Sequence, residues 1–236
     1  MTSEDLGPWV IAEAISDSPP NKTERERVGE ILRERILTGL LTPNSRIDLD
    51  RMAEEFGTSR TPVREACLAL AQEGLVKVAQ RSGIVVIGVT PETILDNFAL
   101  MAALSGIAAQ WAAQRISPKQ LLRVRELSRE VSIAAQSGED IAILNWLFHR
   151  EVNKASCSPR LLLMIGEAGR MIPRSYFALF PEQIPCSLDE HGALVRALAS
   201  RDGLAARQIS EKHFEGAAEV LSQYVVAPHT AQPASV

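Results

Sequence analysis

The 236-residue chain has only three cysteines, Cys67, Cys157 and Cys186, widely spaced and in no C-x-x-C pair. That usage argues against a disulfide framework or a zinc ribbon and points to three small buried hydrophobes. No low-complexity block interrupts a composition of 46% hydrophobic and 23% charged residues, so wholesale disorder is excluded. Unbroken apolar runs such as Leu161–Ile165 and Ile84–Ile87 fall far short of the roughly 20 residues that span a bilayer, and no transmembrane helix is expected. The first ten residues, MTSEDLGPWV, carry acids where a signal peptide carries bases, and no apolar segment with a cleavage site follows. A cytoplasmic protein is expected. Missing too are a Gly-rich phosphate loop, an H-E-x-x-H pair and a nucleophile motif, so an enzyme is not expected. The chain also lacks a basic surplus: its formal net charge is -4, and residues 22–82 hold 11 Lys plus Arg against 10 Asp plus Glu. Any contact with nucleic acid must rest on the placement of single arginines.

What is present divides the chain in two. Residues 1–22 contain Ser16, Asp17, Ser18, Pro19, Pro20 and Asn21, and read as a loose arm. Over 23–88, Val28, Ile31, Leu32, Ile36 and Leu40 recur at helical spacing and end near Gly39. Leu49, Met52, Ala53 and Phe56 make a short second helix stopped by Gly57. Ser59 is an N-cap for a third, with Pro62 in its first turn and Gly74 at its end. Two β-branched strands, from Leu75 and from Ile84, then flank the turn 80–83. Helix, short turn, helix and hairpin in this order predict a winged helix-turn-helix. Beyond Thr90 the strand signal vanishes. Thr90-Pro91, Ser117-Pro118 and Ser158-Pro159 each pair an N-cap with a helix-starting proline, and Ser187 with Glu190 reads as a capping box. About six helices are expected over 89–226, Pro173 bending or splitting the fourth, with a frayed tail at 227–236. The fold class is mainly α: a winged helix-turn-helix followed by an all-α bundle.

On the third helix Val63, Ala66, Cys67 and Leu70 form an apolar stripe, while Arg60, Thr61 and Arg64 share the adjoining arc. A guanidinium binds a guanine edge through two hydrogen bonds, worth about 1–3 kcal/mol of base discrimination. Ser59 and Thr61 hydroxyls suit phosphates, and Lys77 and Arg81 in the wing can reach the DNA backbone. The competing interpretation is a solvated face with Arg60 paired to Glu54 or Glu55. The string GTSRTPVREACLALAQEGLV within residues 28–87 closely resembles the DNA-binding domain of GntR-family regulators. That resemblance implies that Ser59, Arg60, Thr61 and Arg64 contact DNA. It also places Asp50 where some branches carry a DNA-touching arginine, so that contact is expected to be absent and base preference to differ.

Residues 90–226 resemble the FCD type of helical effector domain of the FadR subfamily. The resemblance implies a divalent transition metal, zinc or nickel foremost, at Asn145, His149, His191 and His213, and an effector pocket near Met101 and Ser105. Asn145 and His149 lie one helical turn apart and share a face with Phe148 and Val152. The family usually has aspartate at Asn145 and, near Met101 and Ser105, an arginine and a glutamate. These departures imply a weaker, more positive metal site and a pocket for a small organic acid or a more apolar, aromatic effector. A two-fold dimer on a palindromic or near-palindromic operator follows from the resemblance. The short segment from Gly88 to Pro91 leaves little slack for passing movement between the halves. Two rivals remain: a constitutive dimeric DNA-binding protein with structural histidines, and a zinc hydrolase using Glu190 as base.

Overall fold

A computed structural model describes residues 23–79 and 83–226. The expected N-terminal arm, the wing tip with Arg81, and the tail at 227–236 lie outside the described residues. The chain divides into two compact units, a first over residues 23–94 with 221–226 and a second over residues 95–220.

The first unit begins with α1 (Glu24–Leu37), four residues earlier than the apolar spacing placed it. The reason is a capping box, in which the Thr23 hydroxyl accepts from the Glu26 N–H and the Glu26 carboxylate accepts from the Thr23 N–H. Helix α2 (Leu49–Glu55) is capped by Asp48, whose carboxylate accepts from the Asp50 and Arg51 N–H groups. Helix α3 (Arg60–Gln72) follows after Gly57, which takes φ +64°, and ends before Gly74 at φ +77°. Val28 and Leu32 of α1 bury against Val63, Ala66 and Leu70 of α3, and all five are essentially inaccessible. A bidentate pair from Arg33 to Glu73, at 2.8 and 2.7 Å, clamps the same two helices. The hairpin is present as β2 (Val76–Ala79) and β3 (Gly83–Val86), joined antiparallel. A strand not anticipated from the sequence, β1 (Arg46–Ile47), adds to its other edge and gives a three-stranded sheet ordered β1-β3-β2.

The second unit is all helical: α4 (Pro91–Arg115), α5 (Pro118–Gln136), α6 (Ala142–Ala155), α7 (Pro159–Gly169), the short α8 (Tyr176–Leu179), a 3-10 turn at Pro181–Gln183, α9 (Ile184–Ala199) and α10 (Gly203–Val226). Pro173 lies in the break between α7 and α8. Ser117 and Ser158 cap α5 and α7 as expected, Ser117 through a full capping box with Gln120. Ser187 does not cap anything. Helix α9 already starts at Ile184 and Pro185, which leaves Ser187 and Glu190 inside it. Helix α4 is long and apolar enough by composition to cross a membrane, a feature the unbroken runs did not reveal. Its Ala109, Ala112 and Ala113 instead join one core with Leu127 of α5, Phe148 and Val152 of α6 and Leu198 of α9. Arg201 donates to the carbonyls of Ala113, Gln114 and Ile116, satisfying the orphan acceptors at the end of α4.

Candidate functional site

In the first unit the recognition-helix residues are presented to solvent. Ser59 occupies the N-cap of α3, yet its side chain makes no capping bond, so its hydroxyl stays available. Arg60, Thr61 and Arg64 are exposed, while Val63, Ala66 and Cys67 on the opposite side are buried. Arg60 pairs with neither Glu54 nor Glu55. Its Nε lies 3.2 Å from Oδ1 of Asp50 on α2. Glu55 is held by Arg35, whose guanidinium also lies over the Phe56 ring, 5.1 Å from its centroid.

The sheet register adds a residue that sequence reasoning missed. Arg46 of β1 and Lys77 of β2 both pair with Val85 of β3. Paired residues of antiparallel strands share a face, so Arg46, Val85 and Lys77 form one row across the sheet. Both basic residues are exposed, whereas Ile47, Ile84, Val76 and Val86 bury the opposite face. Two strand spacings put the backbones of Arg46 and Lys77 about 10 Å apart along this row. The two-residue strand that carries Arg46 is too short to show alternation, so nothing local signalled it.

In the second unit three helices bring His149 (α6), His191 (α9) and His213 (α10) together, with one ligand atom from each lying within 4.8 Å of the others. The Nε2 atoms of His149 and His191 are 3.3 Å apart. Neutral imidazoles at that distance are stable only if one carries a hydrogen toward the other or a cation takes both lone pairs. His191 is buried and stacked on Phe148, with ring centroids 4.1 Å apart. Burial, reinforced by the neighbouring histidines, holds His149 and His191 well below the usual imidazole range, so both are neutral and keep free lone pairs. His213 is oriented by Glu190, whose Oε2 lies 2.8 Å from Nδ1. That bond lowers the Glu190 carboxyl and leaves Nε2 of His213 as the ligating atom. Glu190 is thus an orienting carboxylate.

Asn145 sits one turn before His149, and its Oδ1 is buried without a hydrogen-bond partner among the described residues. Nδ1 of His191, the ring nitrogen on the side away from His149, also has no partner among the described residues. Orphaned buried acceptors are costly in a native fold, and a bound cation is one remedy. Three imidazoles and an amide oxygen fit a borderline divalent ion of the zinc or nickel type.

His149, His213 and Asn145 face a cavity of about 260 Å³, with His191 buried behind them. Asn145, His149, Glu190 and His213 line it on one side, together with Arg150 and Arg174. Phe98, Met101, Trp146, Ile165 and Phe177 give it an apolar remainder. Met101 is thus one of the residues that line the cavity. Ser105 is buried, its hydroxyl without a partner among the described residues, and is not one of the lining residues, one further turn along α4 having carried it past the wall.

Residues 24–86 match the model for bacterial regulatory proteins of the gntR family, and residues 96–216 match the FCD domain. The chain belongs to the GntR family. Within this family it is 27% identical over 200 residues to the gluconate operon transcriptional repressor of Bacillus subtilis, covering 80% of this chain and 81% of that one. It is 28% identical over 177 residues to the transcriptional regulator McbR of Escherichia coli, covering 72% and 80%. The solved structure of Escherichia coli McbR/YncC superposes with a TM-score of 0.68 at 24% identity, over 86% of this chain and 98% of that one, a likeness of fold. As a GntR-family member with an FCD domain, the chain is a transcriptional regulator and not an enzyme, so the hydrolase alternative falls.

Proposed function

We propose that this regulator is a cytoplasmic repressor whose grip on its operator is set by a small organic acid or aromatic effector held in the cavity of the FCD domain. The gathering of three imidazoles, two of them at the wall of that cavity, carries the reading. His149, His191 and His213 would hold the metal, with the Asn145 amide as a fourth donor. A bound divalent ion would supply open coordination positions for an anion. Around it, Arg150 and Arg174 attract negative charge, and Trp146 and Phe177 accept an apolar or aromatic body. On the DNA side, Arg60 and Arg64 read bases, Ser59 and Thr61 hold phosphates, and Lys77, Arg81 and Arg46 contact the backbone. One such module touches few base pairs, so two copies on a near-palindromic site are required for useful specificity. Leu100 and Leu122, largely exposed on α4 and α5, are apolar surface that a second copy would cover.

The direct test is calorimetric titration of chelator-treated protein with zinc and with nickel. One ion per chain, with affinity reduced at least tenfold in His213→Ala, is the expected result. No saturable binding by the intact chain would remove the metal from the account.

A further inference from the structure

The contact between Asp50 and Arg60 joins two helices through side chains that are 71% and 66% exposed. An ion pair so open to water adds little to stability, so its consequence must be sought elsewhere. The geometry supplies one. Asp50 meets Arg60 at Nε, the inner nitrogen of the guanidinium. With the carboxylate standing as an ion-pair partner on the Nε side, the terminal Nη1 and Nη2 groups remain as a two-pronged donor, the form that matches the O6 and N7 acceptors of guanine. Asp50 is itself fixed, because it stands in the first turn of α2, where the Asp48 cap accepts from its backbone N–H at 2.9 Å. Arg64 lies four residues along the same exposed arc.

We infer that Asp50 is a positioning residue that aims Arg60 at a base and, by its negative charge, discourages Arg60 from settling on a phosphate. This rests on the reading of Arg60 as a base contact. A free arginine at a groove edge gains from any nearby phosphate and so raises affinity for all sequences alike. A carboxylate beside it repels the backbone and holds the fork in one direction. Asp50 thereby trades general affinity for discrimination, a repulsive element that works against wrong sites.

The test is selection from a random duplex library by the full-length protein, run in parallel with Asp50→Ala, Asp50→Asn and Arg60→Ala. Each is followed by salt titrations on the selected duplex and on a shuffled duplex. Asp50→Ala is expected to bind the shuffled duplex severalfold more tightly, with a salt slope steeper by about one, since Arg60 then neutralises a phosphate. It is also expected to blur one base position per half-site and to cut the selected-to-shuffled ratio at least fivefold. Asp50→Asn retains an acceptor for Nε without the charge, and should keep that base preference while binding shuffled DNA more tightly. An unchanged motif and ratio in Asp50→Ala, or equal losses on both duplexes, would overturn the inference. Arg60→Ala separates the two levels. If Arg60→Ala erases a base position that Asp50→Ala leaves intact, only the orienting role fails. If Arg60→Ala selects the parental motif, the base-reading role fails and takes this inference with it.

Discussion

Cys67, Cys157 and Cys186 are chemically alike in the sequence and different in the fold. Cys67 lies on the packed side of α3, where burial pushes its thiol up to about 11. Cys157 and Cys186 are exposed, contrary to the expectation that all three would be buried. Cys157 sits at φ +53° just past the end of α6, and Cys186 on the first turn of α9 lines the cavity, its thiol raised by partial burial and by Glu190. Only the thiolate attacks an alkylating reagent, and the reagent must reach it. Native protein treated with a maleimide at pH 8 should therefore label at Cys157 and more slowly at Cys186, with Cys67 reacting only in denaturant. Labelling of Cys67 at the rate of Cys157 would contradict the packing of α3.

Among elements, α3 and the wing sheet are proposed to divide the work of DNA binding. If Arg64, exposed on α3, reads bases as proposed, Arg64→Ala should weaken binding to a selected operator by about 1–3 kcal/mol and binding to random DNA much less. Arg46→Ala and Lys77→Ala should weaken both and reduce the salt slope by about one each. Measuring the three variants on both DNAs by fluorescence anisotropy decides it; a loss confined to the operator in Arg46→Ala would refute its backbone role. The helices were legible because long apolar periodicity, N-caps and prolines agree locally, as at Ser117-Pro118-Lys119-Gln120. Strand β1 was not, because two residues show no period and their pairing with β3 is set by a partner almost 40 residues away. Ser187 misled for the opposite reason. A serine three residues before a glutamate is a capping box only where a helix begins, and Ile184-Pro185 had already begun it. The gathering of the three histidines was legible through the resemblance, since helical spacing by itself fits three unrelated residues, whereas the Glu190–His213 bond and the contact of Asp50 with Arg60 depend on tertiary approach that no local pattern encodes.

At the scale of the whole molecule, the account requires two copies of the chain and two linked binding events. Light scattering at micromolar protein should give a dimer with or without operator, and a monomer in both conditions would rule out the two-fold arrangement. Linkage demands more: an effector shifts operator binding only if it favours one arrangement of the protein over the other, however tightly it binds. The central claim is that the histidine-lined cavity governs the grip on DNA, and His191→Ala tests it most directly. The ring of His191 is buried against Phe148 with Nε2 beside His149, so its removal strikes the cluster and leaves the DNA-reading face untouched. The measurement is operator binding by wild type and His191→Ala, with metal content determined on the same samples, across a series of small aliphatic and aromatic acids. Wild type should release operator with at least one acid, whereas His191→Ala, folded by circular dichroism, should bind operator normally, hold substoichiometric metal and ignore that acid. A His191→Ala protein that keeps stoichiometric metal and still releases operator with the same acid would contradict the account and move the sensor out of the histidine cluster.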